Sequence, residues 1–65
     1  MNFQRAAETA LAYAGKHKGH LATHWGVTRQ TVMNRLTSDN PRYLDMKSVA
    51  EFCGVTMDDF LKWGE

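Results

Sequence analysis

Glycine and a single proline punctuate this 65-residue chain at short intervals, and no segment between them alternates apolar and polar residues as a half-buried strand would. The punctuation therefore predicts short helices. Residues 3 to 14 set Phe3, Ala6, Ala7, Ala10, Leu11 and Ala14 on one stripe opposite Gln4, Arg5, Glu8 and Thr9, with Asn2 to cap the start and Gly15 to end the helix. Residues 18 to 25 form a second helix burying Leu21, Ala22 and Trp25, and Gly26 follows where a positive φ is needed. Thr28 caps a third helix that runs to about Thr37, its oxygen accepting from an N–H near Gln30 or Thr31, with Val32 and Leu36 inward. Ser38 to Pro41, SDNP, is turn chemistry.

The remaining residues repeat the pattern. Asp45 caps a fourth helix in which Leu44 and Val49 form a hydrophobic staple, with Met46, Val49, Ala50 and Cys53 inside and Gly54 at the end. A start two or three residues earlier, with Tyr43 buried, fits the same letters. Thr56, Asp58 and Asp59 make the capped acidic first turn of a fifth helix carrying Phe60 and Leu61 inward. The expected fold is all-α, a compact five-helix bundle forming one domain over residues 1–65.

A domain this small buries only about 60% of its unfolded surface and has little room for an enzyme cleft beside its core. Its one cysteine, Cys53, excludes an intrachain disulfide and is read as a small core residue. No apolar run approaches the roughly 20 residues of a membrane span, and MNFQRAAETALAYAG lacks a signal-peptide layout. A cytoplasmic setting is expected.

The net charge of +1 conceals a polarity. Residues 1 to 42 carry Arg5, Lys16, Lys18, Arg29, Arg35 and Arg42 against Glu8 and Asp39, a net +4; residues 43 to 65 carry Lys47 and Lys62 against Asp45, Glu51, Asp58, Asp59 and Glu65, a net −3. One pole suits a polyanion and the other suits protein or water. All three histidines, His17, His20 and His24, stand in the basic part, inside a helical arc of about 60°. A metal site needs a third ligand at hand and a firm helix; with no other histidine, no second cysteine and Gly19 loosening the segment, no metal is expected. Burial of Leu21, Ala22 and Trp25 turns His20 and His24 to the solvated side.

The stretch LATHWGVTRQTVMNRL, residues 21 to 36, resembles the helix-turn-helix of the Cro and phage-repressor superfamily, the lambda-repressor-like or XRE-type DNA-binding domain. The matching positions are Leu21 and Ala22 early in the first helix, Trp25 before the turn, Gly26 in it, Val27 after it, Thr28 opening the recognition helix and Val32 within it. VAEFCGVTMDDFL resembles the family's ending, so the similarity spans residues 17 to 62. Departures are Arg35 where an aliphatic residue is usual, Gly19 inside a helix, and a Trp25 whose indole N–H needs a partner.

The resemblance implies a small Cro-like repressor binding a double-stranded operator, with a helix-turn-helix at about residues 18 to 37 and its recognition helix, 28 to 37, in the major groove. Thr28, Arg29, Gln30, Thr31 and Asn34 are then the expected base-reading residues: Gln30 bidentate to adenine, Arg29 to guanine or a phosphate, Thr31 to a thymine methyl, Asn34 reading adenine or bracing its neighbours. Lys18 and, in the loop after the recognition helix, Asn40, Arg42 and Tyr43 take the places of the two phosphate clamps, with Arg35 a further candidate. Family members pair as two-fold dimers, which points to the C-terminal segment, Phe60 and Trp63, as an interface; Trp63 folded back on the first helix is the competing arrangement. No cofactor, small-molecule effector or membrane partner is expected. The rival class is a protein-interaction or antitoxin-like helical module that reads no bases.

Overall fold

The computed structural model describes residues 2–65, which form five helices: α1 Phe3–Tyr13, α2 Lys18–Trp25, α3 Arg29–Leu36, α4 Tyr43–Cys53 and α5 Met57–Trp63. There is no strand among the described residues. No helix among them is long and apolar enough to cross a membrane.

Short polar side chains start three of these helices. Asn2 Oδ1 accepts from Arg5 N–H at 3.0 Å, Thr28 Oγ1 from Thr31 N–H at 3.2 Å and Thr56 Oγ1 from Asp59 N–H at 3.2 Å. Each meets one of the N–H groups that a helix start leaves without an internal acceptor. Two ends are built alike. Gly26 and Gly54 both sit at φ +70°, and the valine after each closes the helix, Val27 N–H to Ala22 O at 2.9 Å and Val55 N–H to Ala50 O at 3.0 Å. The same tripeptide, Gly-Val-Thr, thus ends one helix and caps the next twice over, between α2 and α3 and between α4 and α5.

The core forms where α1 lies against α4 and α5, with α3 also touching it and α2 packed on α3. Ala6, Ala7 and Ala10 are completely buried on α1, and such small side chains allow the neighbouring helices to approach closely. Phe60, Leu21, Leu36, Val32 and Val49 are the largest fully buried side chains. Phe3 and Phe60 meet edge to face at 6.0 Å between ring centroids, fastening the first helix to the last.

Four expectations require correction. α4 starts at Tyr43 behind Arg42, so Asp45 lies in its first turn and is not its cap. Leu44 is 73% exposed and forms no staple with Val49, and Tyr43 is 60% exposed. Both follow from the early start, which turns the first residues of α4 to solvent. On α5, Phe60 is buried but Leu61 is 39% exposed: the side turned to the core is the one that holds Phe60, flanked by Met57 and Trp63 three residues before and after it, and Leu61, about 100° round the helix, lies at its edge.

Candidate nucleic-acid interface

α3 is anchored by Val32 and Leu36, both buried, which leaves Gln30 and Asn34 one turn apart on its exposed side. The Gln30 Nε2 group donates to Asn34 Oδ1 at 3.0 Å. A glutamine amide has two N–H donors and a carbonyl acceptor, so this bond holds Gln30 in place while leaving one N–H and Oε1 to meet another donor–acceptor pair. Thr28 and Thr31 are bonded through their hydroxyls at 3.1 Å. With its oxygen also accepting from Thr31 N–H, Thr28 is engaged chiefly as the cap, whereas Thr31 keeps its methyl.

Arg29 turns the other way. It lines a cleft of about 270 Å³ with Glu8, Leu11, Lys16, His17 and Lys18, between the second half of α1 and the starts of α2 and α3. Its stem runs past Gly19, where an added Cβ would lie 4.0 Å from Arg29 Cδ and 3.1 Å from His17 Nδ1. This explains a glycine inside α2: the His17 ring occupies the space a side chain would need. Arg29 is therefore grouped with Lys18 and apart from the Gln30–Asn34 pair.

Lys18 is not an unpaired cation. Its Nζ lies 2.9 Å from Glu8 Oε1, the one ion pair among the described residues. Lys16 is engaged as well: its Nζ donates to Phe52 O at 2.8 Å, satisfying a carbonyl acceptor in the last turn of α4, and sits 4.1 Å over the Phe52 ring.

At the other end of α3 a second cleft, about 220 Å³, is lined by Thr31, Asn34, Arg35, Asn40, Arg42 and Asp45 among others. Arg35, Asn40 and Arg42 are thus gathered beside the exposed side of α3, together with Asp45, a carboxylate whose position there the sequence did not signal. Tyr43 is exposed outside the cleft. The Arg35 guanidinium lies 5.1 Å over the Trp25 ring, so the charged head, more than the aliphatic stem, marks its place. Trp25 has its partner too: the indole N–H donates to Ser48 Oγ at 2.8 Å.

No family model, curated protein or solved structure matches this chain.

The histidines do not converge on a point. His17 and His20 stack at 3.8 Å, His20 Nδ1 accepts from His17 N–H at 3.2 Å, and His24 stacks on Phe52 at 4.6 Å. Among the described residues no three His, Cys, Asp or Glu side chains are grouped so as to hold a metal ion. Of the two expected interface residues, Phe60 is completely buried and offers no surface to a partner. Trp63 lies partly buried against α1, 5.8 Å from the Tyr13 ring, the folded-back arrangement. Cys53 is buried, and burial pushes its thiol up from the ordinary range while Lys16 pulls more weakly the other way.

Proposed function

We propose that this chain is a sequence-specific double-stranded DNA-binding protein, a small Cro-like transcriptional regulator that uses α2 and α3 as a helix-turn-helix. The observation that carries the reading is the exposed side of α3, where Gln30 is braced by Asn34 between two clefts supplied with basic side chains. Gln30 presents one N–H and Oε1 to the N7 and N6 edge of adenine, a pairing worth about 1 to 3 kcal/mol of discrimination. Thr31 offers its methyl to thymine. Lys18 and Arg29 on one side, and Arg35, Asn40 and Arg42 on the other, contact phosphates and set the register of the helix on the duplex.

The duplicated Gly-Val-Thr connector supports choosing α3 over α5. The backbone arrangement is the same in both places, but α3 opens with Arg29, Gln30 and Thr31 and α5 with Met57, Asp58 and Asp59. Two carboxylates in the first turn of α5 repel a polyanion, so only the first pair of helices suits DNA. The protein acts in the cytoplasm, as two copies on a pseudo-palindromic operator with half-sites about 34 Å apart.

Selection of bound sites from random duplex DNA at several fixed salt concentrations tests the reading. Enrichment of a two-fold symmetric sequence is the expected result, and Gln30→Ala should lose it while keeping the fold. No enrichment at any salt concentration overturns it in favour of a helical module that reads no bases.

A further inference from the structure

The cleft between α1, α2 and α3 gathers three cations, Lys16, Lys18 and Arg29, and His17 around one carboxylate, Glu8. Lys16 is engaged elsewhere by Phe52 O, which leaves Lys18 and Arg29 as the charges available to an anion. Lys18 instead holds Glu8 at 2.9 Å, with the lysine side chain 25% and the glutamate side chain 45% exposed. A carboxylate and a phosphate present the same feature to an ammonium group, a negatively charged oxygen that accepts its N–H bonds.

We infer that Glu8 is a built-in competitor for the phosphate that binds Lys18 and Arg29, so that DNA must displace the Glu8 carboxylate from Lys18 on docking. The inference rests on the DNA reading for the source of the phosphate, and on the ion pair for the competition. Glu8 is then an affinity-setting residue that touches no base. It keeps attachment to arbitrary duplex weak and leaves a larger share of the binding to the base contact of Gln30, which Asn34 braces.

The strength of the competition is bounded. An exposed or half-exposed ion pair is worth at most about a fivefold change in an equilibrium. Because Lys18 meets the phosphate in the complex whether or not a carboxylate had to leave it first, the number of phosphates neutralised is the same in both proteins, and neutralising Glu8 should raise affinity with little change in the dependence of log K on log salt.

The test measures binding of a duplex of arbitrary sequence by fluorescence anisotropy across a salt series, for the wild type, Glu8→Gln, Lys18→Met and the double variant. Glu8→Gln should bind about two- to fivefold tighter with a nearly unchanged slope, and the gain should disappear in the Lys18→Met background. An equal gain in both backgrounds reduces Glu8 to one more unit of net charge and overturns the inference, as does no gain in either.

A second arm separates this outcome from failure of the DNA reading. Inorganic phosphate is titrated into wild type and Glu8→Gln while the amide resonances of Lys18, Gly19 and Arg29 are followed by NMR. Saturation at a lower phosphate concentration in Glu8→Gln supports the competition even if neither protein binds duplex, in which case the proposed function falls alone. Identical titrations overturn the competition even if duplex binding is strong.

Discussion

The indole N–H of Trp25 donates to Ser48 Oγ at 2.8 Å, joining the last residue of α2 to the inner half of α4 across 23 positions of sequence. The indole is partly buried, so removing its acceptor leaves a polar group with poor access to water. Ser48→Ala should cost about 1 to 2 kcal/mol, read as a lower urea midpoint with an unchanged slope. An unchanged midpoint would mean that water replaces the hydroxyl.

The bond from Gln30 to Asn34 predicts a coupling. If α3 reads DNA as proposed, Asn34→Ala should weaken binding to the selected operator several-fold and relax preference at the base pair that Gln30 meets, because an unbraced glutamine samples other rotamers. In a Gln30→Ala background the same substitution should do much less. Additive effects on operator affinity would show that Asn34 makes its own contact and does not act through Gln30.

Two kinds of glycine in the chain should respond differently to alanine. Gly26 has φ +70° and open space around a would-be Cβ, so Gly26→Ala should cost about 1 to 2 kcal/mol through backbone strain alone. Gly19 is helical and meets the His17 ring. Gly19→Ala should be close to neutral in the wild type but stabilising by up to about 1 kcal/mol in a His17→Ala background, where helix propensity acts unopposed. Equal effects in the two backgrounds, measured by thermal unfolding, would remove His17 as the reason for the glycine.

Cys53 predicts an alkaline limb in stability. Burial raises its pKa in the folded state, so the folded protein holds the thiol proton more tightly than the unfolded chain does. The resulting stability is fully present below the ordinary thiol pKa and is lost as pH rises through the raised one. The wild type should lose more stability between about pH 8 and pH 10 than Cys53→Ala does. Its thiol should also react slowly with a water-soluble disulfide reagent until the protein unfolds. Parallel pH profiles for the two proteins would contradict this.

Helix number and most helix ends were legible because they depend on local chemistry: a glycine at positive φ, or a threonine or asparagine oxygen three residues from the N–H it accepts. Leu44 and Leu61 were not legible for different reasons: Leu44 is exposed because α4 is capped at Arg42, three residues before Asp45, whereas α5 begins behind Thr56 as its letters say and Leu61 lies at the edge of its inner side, where the packing of other helices decides whether it is covered. The directions of Arg29 and Lys18 were not legible at all. Arg29 follows the cap that begins α3, yet its surroundings come from α1 and α2. Glu8 meets Lys18 only because Gly15 reverses the chain between them. Ser48 as the partner of Trp25 likewise depends on how α4 returns past α2, which no nearby letter encodes. For the candidate interface, residue types and the exposed side of α3 could be read in advance; the division of its cations into paired and available ones could not.

The start and finish of the described chain are bonded to each other. Asn2 N–H donates to Gly64 O at 2.6 Å, and the Arg5 guanidinium donates to Glu65 O at 2.8 Å. The bundle is therefore a loop that lacks little more than one covalent link, and the order in which its helices are synthesised is separable from the order in which they pack. A permuted form of residues 2–65, opened in the exposed Ser38–Asn40 turn and joined by a short linker between Glu65 and Asn2, should reach the same fold with a different helix made first.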